Sequence, residues 1–560
     1  MPFLSIRITQ TVNKTLKIAI IVDNEIISDF QADFIAWSHK IGNIDISNYL
    51  YLIDNEKKQL LKKLQTLNIF SIKNLRRNIK NLIILLEKNR NIKNSKYHKN
   101  SMRKHKIHSF NLKKIELNLE VSKSETSFTV SKDSIKLIKE EGFDLIINFS
   151  EKEISGELLN LSNFGIISID YGSNLDNISY PIGFWEVLNS EIKSGYFIKQ
   201  ITNNVYCQNI LFQGHISTQK SWLLNWAELN LRSFYYLKKI ILELGVSSKL
   251  PKSFKNNQNI ENLNKNPKIY ELIKYLFNKY KNKIEIKKYK NKNNRFFVGY
   301  QEIGWESFNY TSTNFIENPE NSYLADPYII SKNNKNYCFL ESYDLVSEKG
   351  RIDVYELTKN TNKYLGTAIE EKFHLSFPYL LETENEIYLI PESSKNRDVR
   401  IYKCIDFPLE WKLENVIMED IDTADSIIFH YENLWWLLTN EDDLSLGAHN
   451  YQLNIYYSDS LLSKDWKPHK LNPVILDPSF GRNGGFIKKD DSFYRIAQKC
   501  GFNQKYGEGI TIRKIQEITN ESYKEEEVAA FINFDGSDIL GSHHLSSNNI
   551  YTVFDVWKMQ

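Results

Sequence analysis

Short apolar runs alternate with helical periods over roughly the first 245 residues. KIAIIVD at 17–23, FDLIINFS at 143–150 and GIISID at 165–170 are nearly unbroken apolar stretches. Strands buried on both faces of a parallel sheet have this character. Residues 223–242 carry apolar positions at helical spacing. Strands alternating with helices predict an α/β layer fold for residues 1–245. From 246 to 295 the pattern weakens into polar, Asn- and Lys-rich sequence such as KSFKNNQNIENLNKNPK and KYKNKNNR. A short helix over 269–280 interrupts this stretch, which is expected to be an interdomain linker.

From 296 to the end the pattern repeats. Sixteen-residue windows beginning at Asp326, Phe377, Asp425, Asn483 and Leu540 align without gaps. The second residue is Pro327, Pro378, Ser426, Gly484 or Gly541. An aromatic follows at Tyr337, Tyr388, Trp436, Tyr494 or Tyr551, and a polar residue at Glu341, Glu392, Asn440, Gln498 or Asp555. Each window reads strand, polar turn, strand, and the remainder of each unit holds a further strand pair. One four-stranded blade cannot bury both of its faces, but five such blades stacked in a ring can. The expected fold is therefore a multidomain chain, N-terminal α/β followed by a C-terminal all-β five-bladed propeller over 296–560. The rival is a β-sandwich, which leaves the shared aromatic offset unexplained.

Composition narrows the function. The chain has 560 residues, 72 Lys or Arg against 69 Asp or Glu, and a formal net charge of +3. That near-balance argues against nucleic-acid binding as the main role. One local exception is residues 89–114, with nine basic and no acidic residues. It is expected to be a solvated loop, with an anion-binding patch as the alternative. The four cysteines, Cys207, Cys338, Cys404 and Cys500, are widely spaced. They suggest neither a disulfide framework nor a zinc site, and no metal is expected. No run reaches the length of a membrane span, and the N-terminus does not read as a signal peptide. A cytoplasmic location is expected.

Residues at one offset in different blades converge on a propeller axis. Asp326 and Asp425 share the first offset, Glu341 and Glu392 the last. Four carboxylates are thus expected near one mouth of the channel, as candidates for the acid and the base or nucleophile of glycosidic-bond chemistry. His374, Arg482, Gln498 and His543 lie near the same strand ends and are candidate substrate-binding residues. The alternative is a structural ring of carboxylates that accept backbone donors at the channel rim. Trp435 and Trp436 are expected in the core between blades rather than as sugar platforms.

Several motifs carry a resemblance. YLADPY (323–328), HLSFPY (374–379), IYLIPES (387–393), WWLLT (435–439), YYSDSLLSKDWKPH (456–469), YRIAQKC (494–500) and LGSHHL (540–545) resemble the propeller domain of plant glucosamine inositolphosphorylceramide transferases and a set of bacterial proteins. That domain is similar in architecture to family-43 glycoside hydrolases, which implies a general base at Asp326. In the plant enzymes the sugar transfer resides in a separate domain. In the N-terminal zone, GIISIDYG (165–172), PIGFWEVLNSEIKSGYFIKQIT (181–202) and NILFQG (209–214) resemble the methionyl-tRNA and sugar N-formyltransferase fold, with a Rossmann-type sheet. The match is closest to bacterial fusions of such a domain to this propeller. The resemblance implies 10-formyltetrahydrofolate as cofactor and an Asn, His and Asp triad. Here those positions hold Ser168, Asp170 and Tyr206, and the usual Arg-Gly-Gly is missing from 173–181.

Three functions follow as expectations. One is a carbohydrate-modifying enzyme of glycan or glycolipid biosynthesis, whose partner is a sugar nucleotide, a glycan or a glycolipid. The second is a catalytically silent glycan-binding scaffold. The third is a glycoside hydrolase run by the propeller carboxylates.

Overall fold

A computed structural model describes residues 15–53, 72–88, 102–121, 127–150, 152–172, 180–203, 207–257, 266–290, 295–310, 313–444, 447–502, 505–532 and 538–558. The chain divides into two compact units, Met1–Lys281 and Asn282–Gln560.

The first unit contains, in order, β1 (Leu16–Val22), β2 (Ile26–Ser28), α1 (Asp29–Ser38), β3 (Ile44–Ile53), α2 (Ile72–Glu87) and β4 (Lys104–Lys106). Then come β5 (Lys113–Val121), β6 (Phe128–Val130), α3 (Lys132–Glu141), β7 (Leu145–Asn148), β8 (Ile166–Tyr171), α4 (Phe184–Asn189) and β9 (Lys193–Gln200). The unit closes with β10 (Cys207–Ser217), α5 (Trp222–Ser247), β11 (Phe254–Asn257) and the first part of α6 (Ile269–Lys290), which runs across the boundary at Lys281. Nine of the strands form one mixed sheet in the order β11-β10-β9-β8-β7-β1-β3-β5-β6. Its middle is parallel: β1 pairs with β3 and β7, β3 with β5, and β7 with β8. β9 to β11 extend one edge antiparallel, and β6 the other. The apolar run of β1 explains its central place, because Ile18 to Ile21 are wholly buried and need cover on both faces. α1 starts at Ser28 because the Ser28 and Gln31 side chains satisfy each other's backbone amides in a capping box.

The segment 246–295, expected as a linker, supplies elements of this unit. β11 adds a strand to β10 at the sheet edge. α6 buries Leu272 and Tyr275. The abundance of Lys and Asn along this segment hides that inner face in the sequence.

The second unit is a ring of five antiparallel sheets, as the repeat predicted. Blades I and II are complete four-stranded sheets beginning at Ser322–Lys332 and Ser376–Glu382. Blade III begins at Thr423–Tyr431 and carries an extra short strand, and blade IV begins at Arg482–Lys489. Blade V joins distant parts of the chain: Thr552–Lys558 pairs with Arg295–Gln301, and the latter with Asn314–Phe315. Apolar residues of neighbouring blades pack face to face. Trp436, 1% exposed, lies in a cluster with Tyr379 of blade II and Phe486 and Phe493 of blade IV. It is core, as expected.

The inner strand breaks register at one place in blades I to IV, after Ala325, Ser376, Ala424 and Asn483. At that bulge Asp326, Phe377 and Asp425 take φ of 49°, 45° and 50°. A left-handed residue inside a strand re-aims its side chain. The strain is smallest for aspartate, which tolerates this region far better than a bulky apolar residue.

Candidate functional site

The bulges of blades I and III aim Asp326 and Asp425 at one mouth of the ring, around a cavity of ≈ 220 Å³. Asp326, Glu341, Glu392 and Asp425 all line it, and so do His374, Arg482 and His543. Gln498 is not among the lining residues. It stands behind Asp425, donating from Nε2 to the Asn483 carbonyl at 2.6 Å and to Asp425 Oδ2 at 3.4 Å.

One repeated offset serves two purposes. In three blades its side chain accepts the amide N–H of the bulge residue, or its equivalent, in the next blade. Asp555 Oδ2 accepts from Asp326 N at 3.1 Å, Glu392 Oε2 from Asp425 N at 3.3 Å, and Asn440 Oδ1 from Asn483 N at 2.7 Å. This is the structural ring weighed from the sequence. Blade I departs from it, because the Phe377 amide donates to Asp326 Oδ2 at 3.2 Å. Glu341, relieved of that duty, faces the cavity with 6% exposure.

The electrostatics separate the carboxyls. Asp326 Oδ1 lies 2.9 Å from His543 Nε2 and 3.4 Å from His544 Nδ1. Burial alone would raise its pKa, but the His543 and His544 imidazoles hold it far below the usual carboxylate range. His543 is gripped from the other side by Asp555 Oδ1 at 3.0 Å. Burial would lower its pKa; Asp555 and Asp326 override that and push it up to about 10. At Glu341 burial, aided by the charges of Asp326, Glu392 and Asp555 and only partly opposed by His543, lifts the carboxyl well above the usual range. Burial drives Asp425 up to about 7, with Arg482 opposing the rise and Glu392 and Asp326 adding to it. Arg482 Nε donates to Asp425 Oδ2 at 2.7 Å. His374 accepts the Gly350 amide at Nδ1, 2.8 Å away, so a neutral ring carries its proton on Nε2, 3.7 Å from Glu341 Oε1. Burial lowers its pKa.

One mouth thus holds a carboxylate biased strongly toward its ionised form, one biased toward its neutral form, and a third poised near neutrality. Opposed protonation states in adjacent carboxyls are what acid–base chemistry requires. Asp326, His543 and Asp555 also offer three atoms within 4.8 Å of one another, a spacing that suits a metal ion. The His543 cation already bridges the two carboxylates there.

Sequence reasoning overlooked the aromatic wall of the cavity. Phe296 and Tyr323 line it, and Tyr323 stacks on Tyr343 at 4.9 Å with 17° between the rings. Tyr323 opens the YLADPY motif, which was the available signal. Phe296 reaches the cavity from blade V and left none. Asp555 was visible as the last residue of its repeat, but its place beneath His543 was not.

In the first unit, Ser168 and Asp170 lie on β8. Asp170 Oδ2 pairs with Lys199 Nζ of β9 at 2.5 Å. The Glu153 carboxyl is raised by burial, which Lys199 opposes and Asp170 reinforces. The Ser168 hydroxyl is buried with no hydrogen-bond partner among the described residues. Tyr206 and residues 173–179 lie outside the described residues.

Residues 309–540 match a family model described as "Glucosamine inositolphosphorylceramide transferase 1, N-terminal". The chain is 39% identical over 213 residues to glucosamine inositolphosphorylceramide transferase 1 of Arabidopsis thaliana, covering 37% of this chain and 27% of that protein. It is 37% identical over 210 residues to the protein of that name in Oryza sativa subsp. japonica, covering 36% and 28%. The chain therefore spans about a quarter of the length of these relatives. Among solved structures it is similar to Zg3597, a family 117 glycoside hydrolase of Zobellia galactanivorans, with a TM-score of 0.30 and 16% identity over 47% of this chain and 90% of that one. It is also similar to the GH62 α-L-arabinofuranosidase catalytic domain of Coprinopsis cinerea, with a TM-score of 0.33 and 9% identity over 47% and 97%.

Proposed function

We propose that the propeller binds a sugar unit of a glycan or glycolipid at its axial cavity and promotes cleavage or transfer at the anomeric carbon. The observation that carries this is the split between Glu341 and Asp326, two carboxyls of one cavity with opposite protonation states. Glu341 donates its proton to the glycosidic oxygen as the bond to the anomeric carbon breaks, and the leaving group departs as an alcohol. Asp326 stays ionised and stabilises positive charge at that carbon. The family resemblance assigns Asp326 as general base. Three donors on its carboxylate make it a weak base, however, and favour the electrostatic role. Asp425, with a pKa near 7, takes the proton of the incoming hydroxyl, whether water or a sugar alcohol. Tyr323 and Phe296 offer aromatic faces for the ring of the sugar. The match of residues 309–540 to a domain of a glycolipid-synthesising transferase supports a place in glycan or glycolipid biosynthesis, with a sugar nucleotide as the alternative ligand.

A second reading, a glycan-binding module without catalysis, is favoured by the same saturation of Asp326. One experiment separates them. Thermal shift against a panel of oligosaccharides, glycolipid headgroups and sugar nucleotides reports binding, and released sugar from the same panel reports chemistry. Binding with release that Glu341→Gln abolishes supports the enzyme. Binding without release supports the module. The absence of any binding overturns both.

For the first unit we propose ligand binding rather than formyl transfer. Lys199 engages the carboxylate at the position where the triad needs an imidazole, and Ser168 replaces the oxyanion donor. These residues do not fit 10-formyltetrahydrofolate chemistry. A folate analogue that raises the melting temperature, together with formyl transfer to an amino sugar, would overturn this reading.

A further inference from the structure

Two helices of the first unit carry large apolar side chains that no described residue covers. On α2, Leu82, Leu85 and Leu86 are 48%, 55% and 52% exposed. On α6, Tyr270, Ile273 and Phe277 are 62%, 55% and 66% exposed. At 3.6 residues per turn, positions 270, 273 and 277 form one stripe opposite Leu272, Tyr275 and Lys279, which face inward. Isolated exposed apolar residues are ordinary, but seven large ones on two helices, counting Leu75 at 53%, are not.

The helices meet at this corner through one buried side chain. Glu87, at the end of α2, is 1% exposed. It accepts from Tyr275 Oη and Lys279 Nζ of α6, each at 2.5 Å, and from the amide of Leu223 on α5 at 2.8 Å. Glu87 is thereby removed from the surface as a charge. Among the described residues of α2 and α6, the exposed charged side chains are Arg77, Lys274 and Lys281, all basic. Lys88 follows α2 directly and is exposed as well. Met102 packs on Leu223 and Leu224 at this corner, and exposed Arg103, Lys104 and Lys106 follow it. They belong to the basic run singled out in the sequence.

We infer that α2 and α6 form an interfacial docking surface for an anionic lipid bilayer. An apolar stripe flanked by Lys and Arg, with Glu87 turned inward and half-buried Glu271 accepting the Lys268 amide at the start of α6, complements a bilayer surface. The apolar side chains enter the headgroup boundary, and the cations meet lipid phosphates and carboxylates. Lying along the surface needs no spanning helix, and among the described residues no helix is long and apolar enough to cross a membrane. A protein partner with an apolar groove would meet the leucines equally well, but would not call for the basic residues that these helices expose. The inference stands apart from the propeller chemistry.

The test is co-sedimentation of the full chain with vesicles of phosphatidylcholine containing about one-third phosphatidylserine, and with phosphatidylcholine alone. Binding should be about tenfold stronger to the anionic vesicles and should weaken as salt rises. Phe277→Glu and Leu86→Glu should each weaken it by about tenfold or more, with the melting temperature unchanged because both positions are exposed. Absence of binding to anionic vesicles overturns the inference, and so does equal binding by wild type and both variants. Light scattering supplies a third arm: if wild type is a dimer that Phe277→Glu converts to monomer, the surface belongs to self-association and the inference fails.

Discussion

The proton on His543 should make the propeller lose stability in mild alkali, and His543→Gln tests this. The imidazole lies between Asp326 and Asp555, 2.9 and 3.0 Å away, and its pKa is held at about 10. An unfolded histidine titrates near 6.5. The folded state therefore binds this proton more tightly than the unfolded state. Its contribution is complete below about pH 6.5 and disappears as pH rises through about 10. At roughly 1.36 kcal/mol per pH unit between the two values, the contribution approaches ~5 kcal/mol. The depression of Asp326 reports the same attraction and is not added again. Urea unfolding from pH 6 to 10, with hydrogen exchange of peptides covering 540–558 as the local readout, measures it. The wild-type minus His543→Gln difference should shrink by about 3–5 kcal/mol across that range. Asp425, a carboxyl raised to about 7, loses its own proton-linked contribution as pH rises toward 7, and that change cancels in the difference. A difference that stays constant from pH 6.5 to 10 would refute the buried imidazolium.

Other outcomes follow from the same geometry. Glu341→Gln should leave the unfolding free energy, read by urea, within about 1 kcal/mol of wild type, because a neutral amide imitates a carboxyl that burial biases toward its neutral form. Asp326→Asn should lower stability by about 3–5 kcal/mol by leaving His543 with one carboxylate instead of two. Gly484→Ala would set a Cβ 2.3 Å from the His543 carbonyl oxygen, so a loss of about 1–3 kcal/mol and a lower melting temperature are expected. Trp436→Ala should cost about 3–5 kcal/mol, read from the denaturant midpoint, because the indole is 1% exposed between three blades.

The ring was legible because each blade repeats a local pattern. Tyr337, Tyr388, Trp436, Tyr494 and Tyr551 occupy one offset since every blade needs a large ring against its neighbour. The gathering of Asp326, Glu341, Glu392 and Asp425 followed from that register. What separates Glu341 from Glu392 did not follow. Both stand at the last offset and both line the cavity, and only the partner of the Phe377 amide decides which of them is spared the latch. Phe296 was equally hidden, because its strand pairs with residues at the far end of the chain and leaves no nearby pattern. In α6 the abundance of Lys and Asn masked Leu272 and Tyr275, so a packed helix read as a tether.

The pairing of Arg295–Gln301 with Thr552–Lys558 bears on how the protein is made. The two partners are separated by about 250 residues. A ribosome delivers the first strand long before the second, and at about 5–20 residues per second the interval is roughly 12–50 s. Through that interval blades I to IV can assemble while the edge of Arg295–Gln301 lacks its neighbour. An unpaired edge of this kind invites pairing with another chain. The nascent propeller is therefore exposed to aggregation in its last stage of synthesis, when a chaperone would have the greatest effect on yield.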